Sequence, residues 1–435
     1  MINPAYLSVI LLALSIIGYV TEVLPAAAIA LSSCCIMVIL GGVSPDIVFA
    51  PFAQDNVLLM AGMLVVGITL STTGTMSFFA RRVGKIFHQK TEHMILAFYC
   101  CLFITSAFIN NSSATLCFLP LFLEIIIESK DPEQHYEQKY IQAISIVAHC
   151  GGMLTLMGSS VNLTASGLLE SYGYEGFSYF TLAPYGLSLF VASIAHIYLF
   201  GNRVTHGMRN NHSSDLVLEF RSNYEKNGTQ TVHWSRKNVY SLLILFFTAL
   251  SLATAGHHGI SRGTIGVSAA LLCGITGCLD FKTMVKKLNW KAILTLGGML
   301  GFSKCLASSG GAQIIAEGLL GVFGTNISPK VFLCIFTVCA FLMTQFVSNV
   351  STAGILIPIA LPAAAAVGVS PLPVAAAITA AASCAFLTPM ASYLQVIVMD
   401  WGSYKFADFF KYSWPLVIVC ILIIVLLTPL LYPLV

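Results

Sequence analysis

Long apolar runs separated by few charges dominate this chain of 435 residues and limit what it can fold into. Ten of these runs are interpreted as membrane-crossing helices, which need roughly 20 mostly apolar residues each. They lie at 6–20, 24–40, 57–72, 141–169, 184–201, 239–255, 264–279, 292–307, 374–399 and 414–432. Such runs are too long for the roughly 10-residue alternating strands of a membrane β-barrel. The pattern therefore predicts an all-α polytopic membrane protein.

The composition excludes a soluble enzyme. Only 21 Lys and Arg and 18 Asp and Glu residues are present, which is 9% of the chain, against roughly 25% in soluble proteins. That is too little polar surface to cover a protein of this size. The net charge of +3 also provides no extended basic surface, so we expect no nucleic-acid partner.

Two further apolar stretches, 94–128 and 331–367, are interrupted near their middle by polar clusters at 110–113 and 348–351. Each stretch can be two full crossings or one re-entrant hairpin. Polar backbone at membrane depth is tolerated only where it is buried in protein or lines a cavity. Because Asn and Ser suit a wet cavity, the clusters favour hairpins with their tips at mid-membrane.

The distribution of basic residues orients the chain, because Lys and Arg near helix ends favour the cytoplasmic side. With two hairpins and the N-terminus outside, 18 of the 21 basic residues fall on the inner side. These are Arg81, Arg82, Lys85, Lys90, Lys130, Lys139, Arg203, Arg209, Arg221, Lys226, Arg236, Lys237, Lys282, Lys286, Lys287, Lys291, Lys405 and Lys411. We therefore predict a multi-pass protein of the cell (inner) membrane with both termini extracytoplasmic.

An internal repeat relates the two halves of the chain. Residues 57–64 resemble 293–300, 108–113 resemble 346–351, and 174–180 resemble 403–409, at offsets of 236, 238 and 229. Five crossings and one re-entrant hairpin per half make an odd number, so the second copy is inverted. Two inverted repeats of five transmembrane helices plus one hairpin each are typical of secondary transporters.

The repeat also sets the domain boundaries. We predict a first inverted repeat at 1–201, a cytoplasmic linker at 202–237 and a second inverted repeat at 238–435. Two amphipathic segments, 74–88 and 310–323, precede the hairpins at equivalent places and are predicted to lie in the membrane interface.

Interrupted apolar segments at matching places in two halves are the best sequence indication of a transporter site. Besides the hairpin tips, a second matched pair of interruptions lies at 158–162 and 389–395. Helix N-termini, amides and hydroxyls at such points suit an anion, and none of the four segments contains Lys or Arg. Cotransported cations would then balance the charge. His149 and His196, by contrast, are predicted to be hydrogen-bonded core residues.

At these residues the sequence resembles the divalent anion:sodium symporter (DASS) family of the ion transporter superfamily. The resemblance extends over nearly the whole chain. It includes Thr-Glu-Val-Leu-Pro at 21–25, both hairpin tips, Gly-Gly-Met at 151–153, and 404–409 before the last crossing. It implies a homodimer embedded in membrane lipid, in which transport domains carry a small anionic substrate and sodium by an elevator-like motion. No cofactor is implied beyond sodium as the coupling ion.

The resemblance also implies site residues at matching positions. The substrate contacts would be Asn111, Ser112, Ser159, Ser348, Asn349 and Ser392. The first sodium site would use Ser106, Asn110, Asn111 and the carbonyl of Gly158. The second sodium site would use Thr344, the carbonyl of Val347, Asn349 and the carbonyl of Ala391.

Four positions depart from the family pattern. Asn110 replaces Ser, Val350 replaces Thr, and Tyr393 and Gln395 stand where Pro and Asn are common. A secondary active transporter of dicarboxylate-type anions or sulfate, coupled to sodium, is the leading hypothesis. A sodium-independent anion exchanger or a transporter of metalloids or other ions stays open as an alternative. An integral-membrane enzyme is disfavoured, because no HExxH, GxSxG or clustered-Asp pattern occurs.

Overall fold

The computed structural model describes residues 3–21, 23–75, 91–128, 136–206, 222, 234–254, 259–323, 327–389, 391–402 and 404–435. Within these stretches the chain forms helices and no strands, as the apolar runs predict. Most of the linker at 202–237 and most of the segment at 74–88 lie outside the described residues.

The described part of the first half forms nine α-helices and one short 3-10 turn at Ala50–Ala53. The helices are α1 (Pro4–Thr21), α2 (Ala26–Ile39), α3 (Pro45–Phe49), α4 (Asp55–Thr72), α5 (Thr91–Ser106), α6 (Asn111–Glu128), α7 (Tyr136–Gly152), α8 (Ser160–Ser171) and α9 (Ala183–His206). The described part of the second half forms ten. These are α10 (Arg236–Ala253), α11 (Arg262–Ile275), α12 (Phe281–Lys287), α13 (Trp290–Ser308), α14 (Gly311–Phe323), α15 (Pro329–Thr344), α16 (Asn349–Ala366), α17 (Pro371–Ala382), α18 (Tyr393–Gly402) and α19 (Phe406–Leu431).

The second half repeats the helix order of the first. Helices α1 to α4 correspond to α10 to α13, and α5 to α9 correspond to α15 to α19. The segment at 74–88, which the sequence predicts as the counterpart of α14, lies almost wholly outside the described residues. The repeat is thus present in the order of elements; its inversion across a membrane stays a prediction.

Each interrupted stretch folds as a helical hairpin around a buried helix. Helices α5 and α6 pack on α7, and α15 and α16 pack on α17. Residues 140–152 of α7 and 373–382 of α17 are all buried, and the polar side chains of Gln142, Ser145 and His149 on α7 are hydrogen-bonded there. We call α5 to α9 with α15 to α19 the core.

The remaining helices form a second unit, the frame (α1 to α4 and α10 to α14). In the frame, helices of one half of the chain pack on helices of the other half. Helix α4 packs on α11, and its counterpart α13 packs on α2. A Cβ atom added to Gly62 of α4 would lie 2.1 Å from the backbone oxygen of Gly266 on α11. At the matching point, a Cβ added to Gly298 would lie 2.8 Å from the Cβ of Ala30. Small residues therefore allow both crossings to be close.

Helices α13 and α14 meet at a sharp corner, with an angle of 76° between them. Gly310 stands at the corner with a φ of +84°, a conformation that favours glycine. The 310–323 segment is thus a helix that runs almost across the direction of α13, and it packs on α1 and α16. Its location in the membrane interface stays a prediction.

Every predicted crossing coincides with one helix or with two helices separated by a break. By length and composition, four helical segments of the described chain can cross a membrane: Pro45–Thr72, Ala183–Gly201, Asn349–Ala366 and Phe406–Leu431. The bent pair α13 and α14 makes a fifth candidate, and seven other apolar helices in the described part are 10–17 residues long. The total of ten crossings stays a prediction.

Candidate functional site

The second arm of each hairpin starts at a capped tip. Asn110 precedes α6, and its Oδ1 accepts a hydrogen bond from the backbone N–H of Ser112 at 2.9 Å. Ser348 precedes α16, and its Oγ accepts from the backbone N–H of Ser351 at 3.2 Å. Asn and Ser are both strong N-cap residues. The replacement of Ser by Asn at position 110 therefore preserves the cap.

Behind each tip, a hydroxyl bridges the first residue of the second arm to the buried helix. Ser106 Oγ lies 2.9 Å from Asn111 Oδ1 and 2.8 Å from the carbonyl oxygen of Ala148. A hydroxyl has a single proton, so only one of these two acceptors can receive it. The three oxygen atoms together therefore have more lone pairs than this one proton can occupy.

The second tip repeats this arrangement. Thr344 Oγ1 lies 3.1 Å from Asn349 Oδ1 and 2.6 Å from the carbonyl oxygen of Ala382. Both hydroxyl-bearing residues are fully buried, and they are 238 positions apart, as are the two asparagines. An oxygen-rich, proton-poor pocket thus lies behind each tip, at two of the predicted sodium ligands in each half.

The breaks between α7 and α8 and between α17 and α18 are held by side-chain amides. Asn162 Nδ2 donates to the carbonyl oxygen of Gly152 at 2.8 Å. Gln395 Nε2 donates to the carbonyl oxygen of Ala385 at 3.0 Å. In both halves the amide lies ten residues after the carbonyl that it reaches. Gln395 therefore makes the same type of hydrogen bond as Asn162, although it departs from the family pattern.

Each break is also tied to the neighbouring tip. Thr155 Oγ1 donates to the carbonyl oxygen of Ala107, and Thr388 Oγ1 donates to that of Gln345, both at 2.5 Å. The first break comes so close to the first tip that a Cβ added to Gly158 would lie 3.0 Å from the Ala107 oxygen. These contacts therefore fix each break to its neighbouring tip.

Replacing Gln395 by Leu is expected to loosen the second break. The change removes the bond to the Ala385 carbonyl and the 3.0 Å bond that Gln395 Oε1 accepts from Ser145 Oγ. A buried group left without a partner costs about 1–3 kcal/mol, so the melting temperature in detergent should fall. The matched change at the exposed Gln313 should leave it nearly unaltered; equal effects at the two positions would contradict this role of Gln395.

The two tips and the two breaks converge on one cavity of about 550 Å³. All six predicted substrate contacts line it, namely Asn111, Ser112, Ser159, Ser348, Asn349 and Ser392. Asn110 and Ala391 also line this cavity, whereas Ser106, Thr344 and Val347 are buried outside its lining. Gly158 lines a small separate pocket that it shares with Asn110. The structure therefore brings together residues that are up to 282 positions apart.

The frame forms the other wall of the cavity, and sequence reasoning missed this wall. It includes Tyr19, Asn289, Lys291 and Thr295. Nothing in the local sequence marks these residues, because they belong to ordinary helix ends in α1 and α13. Lys291 corrects the expectation of a site without Lys or Arg: the four interrupted segments have none, but the frame contributes one basic residue.

Both histidines singled out from the sequence are buried and hydrogen-bonded, as predicted. Nδ1 of His149 lies 2.8 Å from the carbonyl oxygen of Ser145, and Nε2 of His196 lies 2.8 Å from that of Tyr412. His149 differs from the expectation in one respect, since it also lines the cavity. Its lining position follows from the packing of α7 beneath the tips.

The two breaks differ in how they contact the frame. Helix α8 packs on α4 and α13 of the frame, and there Asn56 Nδ2 donates to Glu170 Oε2 at 2.7 Å. Its counterpart α18 packs on α6 and α7 within the core instead. Tyr393, at the start of α18, lines the cavity and is 65% exposed. The mouth therefore lies at the α18 side, which the charge distribution predicts to be cytoplasmic.

The model of the CitMHS family, described as citrate transporter, matches residues 16–381 and 292–433. The chain belongs to this family. It is therefore an integral-membrane transporter rather than an enzyme, as the interrupted helices and the charge pattern predict. The resemblance to the DASS family is confirmed at the level of the family.

Several named relatives share parts of the sequence. The uncharacterised transporter YfbS of Escherichia coli is 34% identical over 190 residues, which are 43% of this chain and 31% of YfbS. The sodium-dependent dicarboxylate transporter SdcS of Staphylococcus saprophyticus is 24% identical over 445 residues, with 95% of this chain and 84% of SdcS covered. SdcS of Staphylococcus aureus strain USA300 is 23% identical over 410 residues, covering 88% and 78%.

Two solved structures share the fold at 12% sequence identity. MtrF of Neisseria gonorrhoeae, described as one of a class of antimetabolite efflux pumps, gives a TM-score of 0.63 over 98% of this chain and 94% of its own. The YdaH transporter of Alcanivorax borkumensis gives 0.53 over 88% and 86%. At this identity the likeness concerns the fold alone.

Proposed function

We propose that this transporter carries a small divalent anion of the dicarboxylate type together with sodium. The observation that carries the proposal is the convergence of two tips and two breaks on one cavity lined by amides and hydroxyls. The sodium-dependent dicarboxylate transporters among its relatives support the same substrate class.

The backbone favours an anion in this cavity. Helices α6, α8, α16 and α18 begin at Asn111, Ser160, Asn349 and Tyr393, and all four residues line the cavity. The first N–H groups of a helix lack partners within the helix, and its N-terminus carries a partial positive charge. Four such N-termini around one cavity can bind two carboxylates or a sulfate.

The pockets behind the tips favour sodium as the coupling ion. Each combines a hydroxyl, an amide oxygen and a backbone carbonyl with one proton among them. Oxygen atoms of this kind are the ligands of hard cations. Because Asn111 and Asn349 belong both to these pockets and to the cavity wall, a bound cation would orient the amides that face the anion.

The core and the frame suggest how access alternates. The cavity lies between them, with frame contacts closed at α8 and open at α18. Movement of the core along the frame by an elevator-like step would close the α18 side and open the α8 side, as alternating access requires. We propose further that two copies of the chain form a homodimer, which light scattering of the detergent-solubilised protein would test.

Uptake into liposomes tests the proposed function. Purified protein should accumulate labelled succinate, citrate or sulfate when sodium is supplied outside, and should accumulate much less with potassium. Thermal stabilisation by the same anion should also require sodium, since a ligand stabilises the state that binds it. Flux that is independent of sodium and requires an anion on both sides would identify an exchanger instead. Absence of flux for all three anions would exclude the proposal.

A further inference from the structure

The frame presents different charges at the two ends of the path. Lys291 lies at the start of α13, and its repeat counterpart, 236 positions earlier, is Asp55 at the start of α4. If the halves are related by inverted symmetry, these residues occupy equivalent places at opposite mouths. A basic residue at one mouth thus corresponds to an acidic residue at the other.

Lys291 is exposed and lines the open cavity. It lines the cavity together with Asn289 and Thr295 of the frame and with residues of both tips and both breaks. Among the described residues it forms no ion pair, so its charge is available to an anion in the cavity. An unpaired charge in a cleft raises the local concentration of oppositely charged ligands.

At the other mouth, the charged side chains of Asp55 and Arg262 form hydrogen bonds within the protein. Asp55 Oδ2 accepts a hydrogen bond from the backbone N–H of Arg262 at 3.1 Å, and the Arg262 guanidinium donates to the carbonyl oxygen of Phe177 at 2.8 Å. The counterpart of Arg262, at an offset of 236, is Ala26. Glu170, which accepts a hydrogen bond from Asn56 next to Asp55, adds a second carboxylate here. Two negative charges therefore accompany one positive charge at this mouth, whereas Lys291 is the charged side chain among the described residues that line the open cavity.

We infer that Lys291 is an affinity determinant that acts on the anion at one mouth only. This inference rests on the proposed function and on the movement of the core past a stationary frame. With the cavity open as in this structure, the bound anion faces Lys291. After the core has moved, the same anion faces Asp55 and Arg262. The transporter therefore binds its anion more tightly from the predicted cytoplasmic side than from the outside.

Transport kinetics measured separately from each side test this inference. The assay uses inside-out and right-side-out membrane vesicles and whichever labelled anion among succinate, citrate and sulfate the wild type carries. Lys291→Gln should raise the KM on the Lys291 side by about fivefold, as expected for loss of one steering charge, and leave the KM on the other side unchanged. Because the equilibrium fixes the ratio of kcat/KM for the two directions, kcat from the Lys291 side should rise in the same proportion. Lys291→Arg should retain the wild-type KM.

A matched control and the salt dependence separate this role from others. Lys286→Gln removes the same charge from α12 on the same side, outside the cavity lining, and should leave both KM values unchanged. Raised ionic strength should reduce the effect of Lys291→Gln, because salt screens exposed charges. An equal KM change from both sides, or none at either side, would overturn the inference. Wild-type membranes without flux would instead count against the proposed function.

Discussion

Replacing either Asn111 or Asn349 by Ala is expected to reduce sodium-driven uptake by about a hundredfold. Each side chain lines the cavity and is bonded through a hydroxyl to the buried helix behind its tip. Its loss removes a donor to the anion and an oxygen from the proposed sodium pocket. A hydrogen bond to a charged group contributes about 1.5–3 kcal/mol, and each 1.4 kcal/mol corresponds to about tenfold. Initial uptake rates in liposomes measure the loss.

Two control variants test whether the loss of uptake is specific to these asparagines at the tips. Asn3→Ala makes the same change at an exposed N-terminal residue and should leave uptake unaltered. Val350→Thr restores the hydroxyl that the family has in the second tip and should retain or improve uptake of a dicarboxylate. Wild-type uptake by both Asn111→Ala and Asn349→Ala would refute the assignment of the site.

Replacing Gly62 by Ala is expected to destabilise the frame severely. The new Cβ would lie 2.1 Å from the backbone oxygen of Gly266, so α4 and α11 would have to separate. Overpacking a tight contact costs about 1–3 kcal/mol, and a clash with backbone belongs at the upper end. The melting temperature of the purified protein in detergent should fall markedly, with much less protein recovered.

The matched control for this change is Gly318→Ala on α14. A Cβ at Gly318 has no neighbour within 4 Å, and alanine favours a helix over glycine by about 0.8–1.0 kcal/mol. This variant should therefore be as stable as the wild type or slightly more so. Similar melting temperatures for Gly62→Ala and Gly318→Ala would contradict the close crossing of α4 and α11.

The candidate site was predictable from the sequence to a large extent because its parts are local signals that occur twice. Polar clusters within apolar runs identified the tips, and their matching positions in the two halves identified them as a pair. All six substrate contacts that the family resemblance implies lie in these tips and breaks, and all six line one cavity. Their assignment to an anion and to sodium remains the proposal that the tip variants test.

The equivalence of Gln395 and Asn162 could not be predicted in this way. The sequence shows only that an amide of different length stands at a place where the family commonly has Asn. The structure shows that both side chains reach a backbone carbonyl ten residues earlier. The longer side chain also accepts a bond from Ser145 on α7. Such a compensation depends on the positions of three helices, so no local pattern reveals it.

The sequence by itself determined the helical membrane class, the twofold repeat and the four segments that form the cavity. These properties follow from hydrophobic run length and residue type, which act over a few helical turns. Only the tertiary structure decided that Lys291 and Tyr19 complete the wall and that the cavity opens beside α18. Those features depend on where the core rests against the frame, and contacts between distant helices set that position.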